Sequence, residues 1–240
     1  MRLKPIGGQM ENIDIDDLKI MIDGEIDIVM DTGMLDDMDF LCDDNDHKKV
    51  KSVMLRMQNK HKFRRAFGEK KLYELFDGNT FDEGDSYHVL SGGDIDSLSF
   101  LSLMLKQQSL EYCLFSTWCM KLHDVLQVEK WVNEGKIKRV DAYVGEIFSH
   151  SYVKEYAKLR EVAKKCGGRV CVFRNHAKIF AGTGTLFDFG IASSANIDTN
   201  PRTENTVITI GNNIYEFYKE FFDGIKSFSR DFDDWTKYKD

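Results

Sequence analysis

From about residue 85 onward, short apolar runs alternate with longer amphipathic stretches, and this constrains the fold more than any other feature of the chain. Runs at 87–90, 110–116, 138–144, 169–173, 177–181, 189–193 and 206–210 have the length and the β-branched or aromatic content of strands. Between and after them, 95–108, 125–135, 151–165 and about 214–228 repeat apolar residues at helical spacing. Gly92-Gly93-Asp94 reads as a turn, Asp94 or Asp96 as the N-cap of the first of these helices, and Gly135 and Gly168 as helix stops. The last helix carries Phe217, Phe221 and Ile225 on one face. Strands and helices in such alternation predict an α/β sandwich with a mostly buried sheet. Two prolines, at 5 and 201, leave no Pro-rich linker to divide the chain.

The charge is distributed unevenly. Residues 1–47 carry 3 Lys/Arg against 14 Asp/Glu, a net of −11, while residues 48–71 carry 10 basic groups against Glu69 alone, a net of +9. The remaining 169 residues have a net of −5. Opposite blocks lying end to end imply pairing within the chain or two oppositely charged partners, beside the plainer alternative of two solvated faces. Inside the acidic block, Asp23-Gly24 between two β-prone runs over 19–29 signals a hairpin. A lone hairpin is marginal in water, so its isoleucines and methionines should dock on the body or on a partner. Residues 48–75 read as a helix with an interrupted stripe of Val50, Val53, Met54, Met57 and Phe63. Its Lys60, Lys62, Arg64 and Arg65 are candidate nucleic-acid-binding residues. The expected division is an acidic segment at 1–47, a basic helical segment at 48–78 and a catalytic domain at 79–240.

Several classes are excluded. No apolar run approaches the ~18 residues of a membrane span, and Met1-Arg2-Leu3-Lys4-Pro5 leads into no apolar stretch of the secretory kind. Five cysteines, at 42, 113, 119, 166 and 171, are odd in number and lack metal-type spacing. They are expected to be reduced thiols in a cytoplasmic compartment.

The chemistry-bearing stretch runs from Asn175 to Asn205. His176 and Lys178 are two apart and, on a strand, would share a face. Ser194 and Asn196 follow the next strand in a small-residue turn, and Glu204 stands just before another strand. These five groups suit phosphoryl transfer. An imidazole can attack phosphorus, an ammonium and an amide can hold the non-bridging oxygens, and a carboxylate can fix the imidazole tautomer. Pairing with Arg202 is the competing role for Glu204, and a simple turn role that for Ser194. Gly92-Gly93-Asp94 lacks a phosphate-loop fingerprint. Cys119, in Ser116-Thr-Trp-Cys-Met120 after a strand, reads as a buried thiol, and His88, His123 and His150 form no ligand set.

His176-x-Lys178, then Ser194-x-Asn196, then Glu204, resembles the HxK…GSxN signature of the phospholipase D superfamily, the HKD motif. The resemblance covers roughly residues 85–240, and the chain is also similar over most of its length to phospholipase D-like proteins encoded by bacteriophages. Two positions depart from the pattern: the family's Asp falls at Thr183 and its Gly before the Ser at Ser193. The resemblance implies an α-β-α sandwich around a mixed sheet and a covalent phosphohistidine on His176. It also implies a reaction that needs no metal or other cofactor.

Family members build one site from two such motifs, and this chain has a single copy, so the resemblance implies a homodimer with a composite site. Single-motif members are commonly nucleases or small phosphodiesterases, whereas lipid-specific ones usually carry both motifs in a longer chain. The expected activity is therefore a metal-independent nuclease acting on nucleic acid or a nucleotide diester, in the cytoplasm of a host cell if the chain is phage-encoded. The alternative is a non-catalytic protein of the same fold that binds nucleic-acid or nucleotide phosphates.

Overall fold

The computed structural model describes residues 60–197 and 202–239, with side chains from residue 65. The expected hairpin at Asp23-Gly24 and the stripe residues Val50, Val53, Met54 and Met57 lie outside the described residues, as does the side chain of Phe63. The chain divides into two compact units, Met1–Ala66 and Phe67–Asp240. Helix α1 (Lys60–Leu75) crosses that division. The second unit then continues through β1 (Ser86–Ser91), α2 (Ser97–Gln107), β2 (Leu110–Thr117), α3 (Leu122–Asn133) and β3 (Val140–Gly145). A single turn, α4 (Phe148–Ser151), precedes α5 (Val153–Lys165), β4 (Val170–Phe173) and β5 (Ile179–Gly184). The order closes with β6 (Phe189–Ser193), β7 (Glu204–Ile210) and α6 (Asn212–Asp223).

The seven strands of the described residues form one mixed sheet in the order β1-β7-β6-β5-β2-β3-β4. β2, β3 and β4 run parallel, joined by helical crossovers, and every other neighbouring pair is antiparallel. Period-two alternation gives the sheet two buried faces. Cys113 and Phe115 of β2 enter a core with α2, α3 and α5, while Tyr112 and Leu114 turn to the opposite cluster with Tyr215 and Phe222 of α6. The first core also takes in Leu72 and Phe76, so the second half of α1 packs with the sheet's unit. On α2, the Asp96 carboxylate caps the first turn by accepting from the Ser99 N–H at 2.8 Å. On α3, Asp124 accepts from the Lys121 N–H at 2.9 Å, which starts that helix a turn earlier than 125.

The second face is finished by the chain beyond α6. The Phe228 N–H donates to the Val172 carbonyl at 2.7 Å, and the Val172 N–H donates to Ser227 Oγ at 3.0 Å, covering the β4 edge. Tyr238 stacks on Tyr112 at 4.6 Å between ring centroids, and Trp235 lies over the Arg169 guanidinium at 3.5 Å. Asp141, fully buried, accepts from Tyr112 Oη at 3.0 Å, Trp235 Nε1 at 3.2 Å and the Arg169 N–H at 3.0 Å. Burial pushes its carboxyl above the usual range, with Arg139 beside it opposing the shift.

Further expectations change in the last two helices. The helix over 151–165 is interrupted at Tyr152 (φ −121°, ψ 48°). Its stop is Gly167, not Gly168: Gly167 has φ +72°, and the N–H groups of Gly167 and Gly168 return to the carbonyls of Lys164 and Ala163 at 3.3 and 2.8 Å. The last helix ends at Asp223 and buries Tyr215 and Phe222, leaving Phe217 and Phe221 exposed. The cause is Gly190 on β6, where a Cβ would stand 2.7 Å from Ile214 Cγ1 and 2.9 Å from Tyr218 Cε2, so α6 seats its 214–218 side on bare backbone.

The two adjacent glycines separate conformational freedom from close approach. At Gly167 nothing lies within 4 Å of an added Cβ, whereas at Gly168 the Cβ would be 1.8 Å from the Val140 carbonyl oxygen. Gly167→Ala should cost ~1–2 kcal/mol through its left-handed φ. Gly168→Ala should cost upwards of ~3 kcal/mol, because strand β3 must move. Thermal melts read this directly at ~2–4 °C per kcal/mol, and equal melting temperatures for the two variants would contradict the close approach.

Candidate active site

The topology gathers seven strand termini at one end of the sheet. β5 begins where β2 ends, with Ile179 opposite Ser116. β6 ends beside that start, with Ala192 opposite Ile179, and β7 begins beside the end of β6, with Thr206 opposite Ser193. The ends of β1 and β3 complete the row, Ser91 opposite Glu204 and Gly145 opposite Phe173 of β4. His176, Lys178, Ser194, Asn196 and Glu204 all lie on these termini.

His176 and Lys178 precede β5 instead of standing on it. Asn175 is the reason. Its Oδ1 accepts from the Ala177 N–H at 3.0 Å, and the Ala177 carbonyl accepts from Ser116 Oγ at 3.1 Å, so side chains take the bonds a strand neighbour would make. Asn175 Nδ2 donates in turn to Ser116 Oγ at 2.9 Å and to the carbonyls of Thr117 and Tyr143 at 3.2 and 3.0 Å. With Asn175 only 7% exposed, this buried amide ties the lead-in to the ends of β2 and β3.

The two side chains still meet. Lys178 Nζ lies 3.0 Å from His176 Nδ1 and donates to the His176 carbonyl at 2.7 Å. Their surroundings differ, since the imidazole is exposed and Lys178 is buried. Burial lowers the Lys178 pKa below the usual lysine value, opposed by Cys119 and Glu204 nearby. Among the described residues no carboxylate lies within ion-pairing distance of this ammonium.

Ser194 Oγ donates to Glu204 Oε2 and accepts from the Asn205 N–H at 3.0 Å. Glu204 thus takes Ser194 as its partner, not Arg202. Ser193 Oγ pairs with Thr206 Oγ1 at 2.8 Å and accepts from the Ala195 N–H at 3.1 Å, holding the turn that carries Ser194. The Trp118 N–H donates to Asn196 Oδ1 at 3.3 Å, and Ser97 Oγ donates to the Asn196 carbonyl at 2.9 Å. A backbone N–H can only donate, so the Asn196 amide is turned with its oxygen toward Trp118 and its NH2 the other way. The Trp118 indole stands 5.9 Å from the His176 ring, between centroids.

Asn175, Ser116, Thr117 and Trp118 are therefore structural members of the site that motif spacing does not reveal; the one sequence signal for the last three is their position at the end of an apolar strand. Lys60, Lys62 and Arg64 fall within α1, but their side chains lie outside the described residues; Arg65 is half-buried and already engaged. Cys119 is buried close to Lys178. Asp94, in the Gly92-Gly93-Asp94 turn, pairs with Lys71. Among the described residues no three His, Cys, Asp or Glu side chains group as metal ligands, and no helix is long and apolar enough to cross a membrane.

No family model and no curated protein matches the chain. Among solved structures it is similar to polyphosphate kinase from Porphyromonas gingivalis, at 11% identity over 57% of this chain and 25% of that one, with a TM-score of 0.43. It is also similar to TrmBL2, an archaeal chromatin protein described as having a novel mode of DNA binding, at 10% identity over 64% of this chain and 57% of that one, with a TM-score of 0.40. The chain thus spans a quarter of the length of the first and 57% of the second.

The buried ammonium makes a pH-dependent prediction. The folded pKa of Lys178 lies below its ordinary 10.5. Between those two values the unfolded chain binds more protons, so stability rises with pH across that window, and below it the burial penalty is fully present. An anion beside Nζ offsets the penalty and draws the proton back. Affinity for dimethyl phosphate, whose own charge is constant, should hold at neutral pH and fall as pH rises through the window, up to about pH 10.5. Lys178→Met should bind weakly and without that slope. A wild-type affinity that stays flat throughout would remove Lys178 from the anion site.

Proposed function

We propose that the chain is a phosphodiesterase of the phospholipase D type, a metal-independent nuclease that works through a phosphohistidine on His176 in a site completed by a second copy. The observation that carries this reading is the exposed imidazole standing 3.0 Å from a buried ammonium. A solvent-borne diester can reach the ring, while the charge beneath is held where water screens it least.

The proposed reaction has two displacements. A ring nitrogen of His176 attacks phosphorus, the bond to the leaving oxygen breaks, and that oxygen takes a proton from the partner's His176. The same partner imidazole then deprotonates a water that attacks the phosphohistidine, releasing the phosphomonoester and restoring both rings. Lys178 and the Asn196 NH2 hold the non-bridging oxygens, the role a cation fills in metal enzymes. The Ser194–Glu204 pair braces the turn that carries Asn196. The competing reading, phosphate binding without turnover, is favoured by Thr183 and Ser193 at the departing positions and by the net −5 of residues 72–240.

Hydrolysis should persist in excess EDTA, and His176→Ala should lose at least ~10²–10⁴-fold in turnover while retaining ligand affinity. Activity that vanishes with chelator and returns with Mg²⁺ sinks the mechanism. Binding with neither turnover nor label retained on histidine selects the competing reading.

A composite site also predicts dominance. Mixing His176→Ala chains with wild type under subunit exchange should lower activity below simple dilution, because each heterodimer holds a single imidazole. A fully active monomer by light scattering would contradict it.

A further inference from the structure

Beside the proposed reacting groups stands an aromatic face that the reaction does not use. Trp118 leaves the end of β2 with 37% of its surface exposed and its ring tilted 53° to that of His176. Its placement is fixed from three sides. Its N–H is held by Asn196 Oδ1 at 3.3 Å. The preceding Thr117 is fully buried, its hydroxyl donating to the Cys119 carbonyl at 2.8 Å and accepting from the Ile197 N–H at 3.3 Å. Against the Cδ1 edge of the ring lies Gly145, where a Cβ would come within 2.7 Å of Trp118 Cδ1 and 3.3 Å of the Trp118 carbonyl oxygen. The Cδ1 edge of the indole therefore packs on bare backbone, while more than a third of the residue stays open to a ligand.

We propose that Trp118 is the stacking platform for a nucleobase next to the scissile phosphate, and that the substrate is a single-stranded nucleic acid. This rests on the reading of His176 and Lys178 as the phosphate site. A phosphate held there carries its ester substituents past the neighbouring ring. A nucleobase in a single strand offers a free π-face to such a ring, whereas duplex bases are already stacked on both sides. A lipid chain would instead need a contiguous apolar groove. Charge points the same way. Residues 72–240 have a net of −5, so this stretch offers no long-range attraction to a polyanion. Stacking is charge-neutral and supplies affinity that phosphate contacts alone would not.

The test uses the full chain carrying His176→Asn, so that binding is read without cutting. Dissociation constants are compared for an oligothymidylate, an abasic oligomer of the same length and the matching duplex. Trp118→Leu should weaken oligothymidylate binding roughly 5–150-fold, the equivalent of ~1–3 kcal/mol of base–aromatic stacking. It should leave the abasic oligomer within about twofold, below ~0.4 kcal/mol. Trp118→Tyr should restore most of the loss, which a folding defect would not allow. Unchanged oligothymidylate affinity, an equal loss on the abasic oligomer, duplex binding as tight as single strand, or no oligonucleotide binding at all would each overturn the proposal. Failure of the underlying reading looks different. Turnover that survives His176→Ala removes the nucleophile and leaves the base-dependent contrast at Trp118 measurable, whereas a labelled phosphohistidine with no such contrast removes the platform alone.

Discussion

The antiparallel pairing of β5 with β2 is the join on which the site depends. β2 belongs to the parallel set β2-β3-β4, and β5 opens the antiparallel set that continues through β6, β7 and β1. Reversing direction at that one interface puts the beginning of β5 beside the end of β2, with Ile179 opposite Ser116. Everything chemical follows from that adjacency. The buried Asn175 amide can reach Ser116, Thr117 and Tyr143 only because the lead-in to β5 passes the ends of β2 and β3. A buried amide left without these partners would cost a few kcal/mol, ~1–3 per orphaned group, so the network holds His176 and Lys178 in place as firmly as it holds itself.

The two faces of the sheet support that row of strand ends by different means. One is packed in the ordinary way, with Leu98, Leu101, Val128 and Leu159 on an apolar strand surface. The other is clamped by charge and aromatic rings. Arg169 donates to the carbonyls of Phe222 and Ile225 at 3.0 and 3.4 Å and to Tyr143 Oη at 3.0 Å, so a buried guanidinium caps the carboxyl end of α6. Its ring partner Trp235 also donates to Asp141, which joins the terminal segment to β3 through a single carboxylate. Removing either buried group would leave its hydrogen-bond partners unmet, which makes this face less tolerant of substitution than the apolar one.

The architecture was legible in the sequence wherever a period carried it. Strands alternating between two cores and helices with one buried stripe leave local patterns, and the seven strands stand close to the apolar runs that suggest them. What escaped was decided by groups distant in sequence. The start of β5 moves from Ala177 to Ile179 because Asn175 and Ser116, 59 residues apart, intercept the backbone bonds of Ala177. Gly167 and Gly168 are the same residue type, and only the helix end and the Val140 carbonyl tell them apart. The spacing of His176, Lys178, Ser194, Asn196 and Glu204 suggested one cluster, and the structure brings these side chains to one end of the sheet. Trp118 could not be found that way, since the features that place it, Gly145 and Asn196, lie on two other parts of the chain.

Local and global electrostatics then give opposite answers about an anionic ligand, and distance decides between them. Most charged groups of residues 72–240, net −5, lie outside the buried set that holds Asp124, Asp141 and Arg169, and the fields of solvent-exposed charges fade within a Debye length of ~8–10 Å. Lys178 is buried at the base of the site, where its desolvation is the first cause of its lowered pKa. An ammonium held in that state gains more from an arriving anion than a solvated one, because the anion replaces solvation it has already lost. On the proposed reading, a phosphate would gain at close contact what the charge of this stretch does not offer at long range. A site of this kind depends for its affinity on short-range contacts, and those it has at hand are one ammonium, one oriented amide and the face of one indole ring.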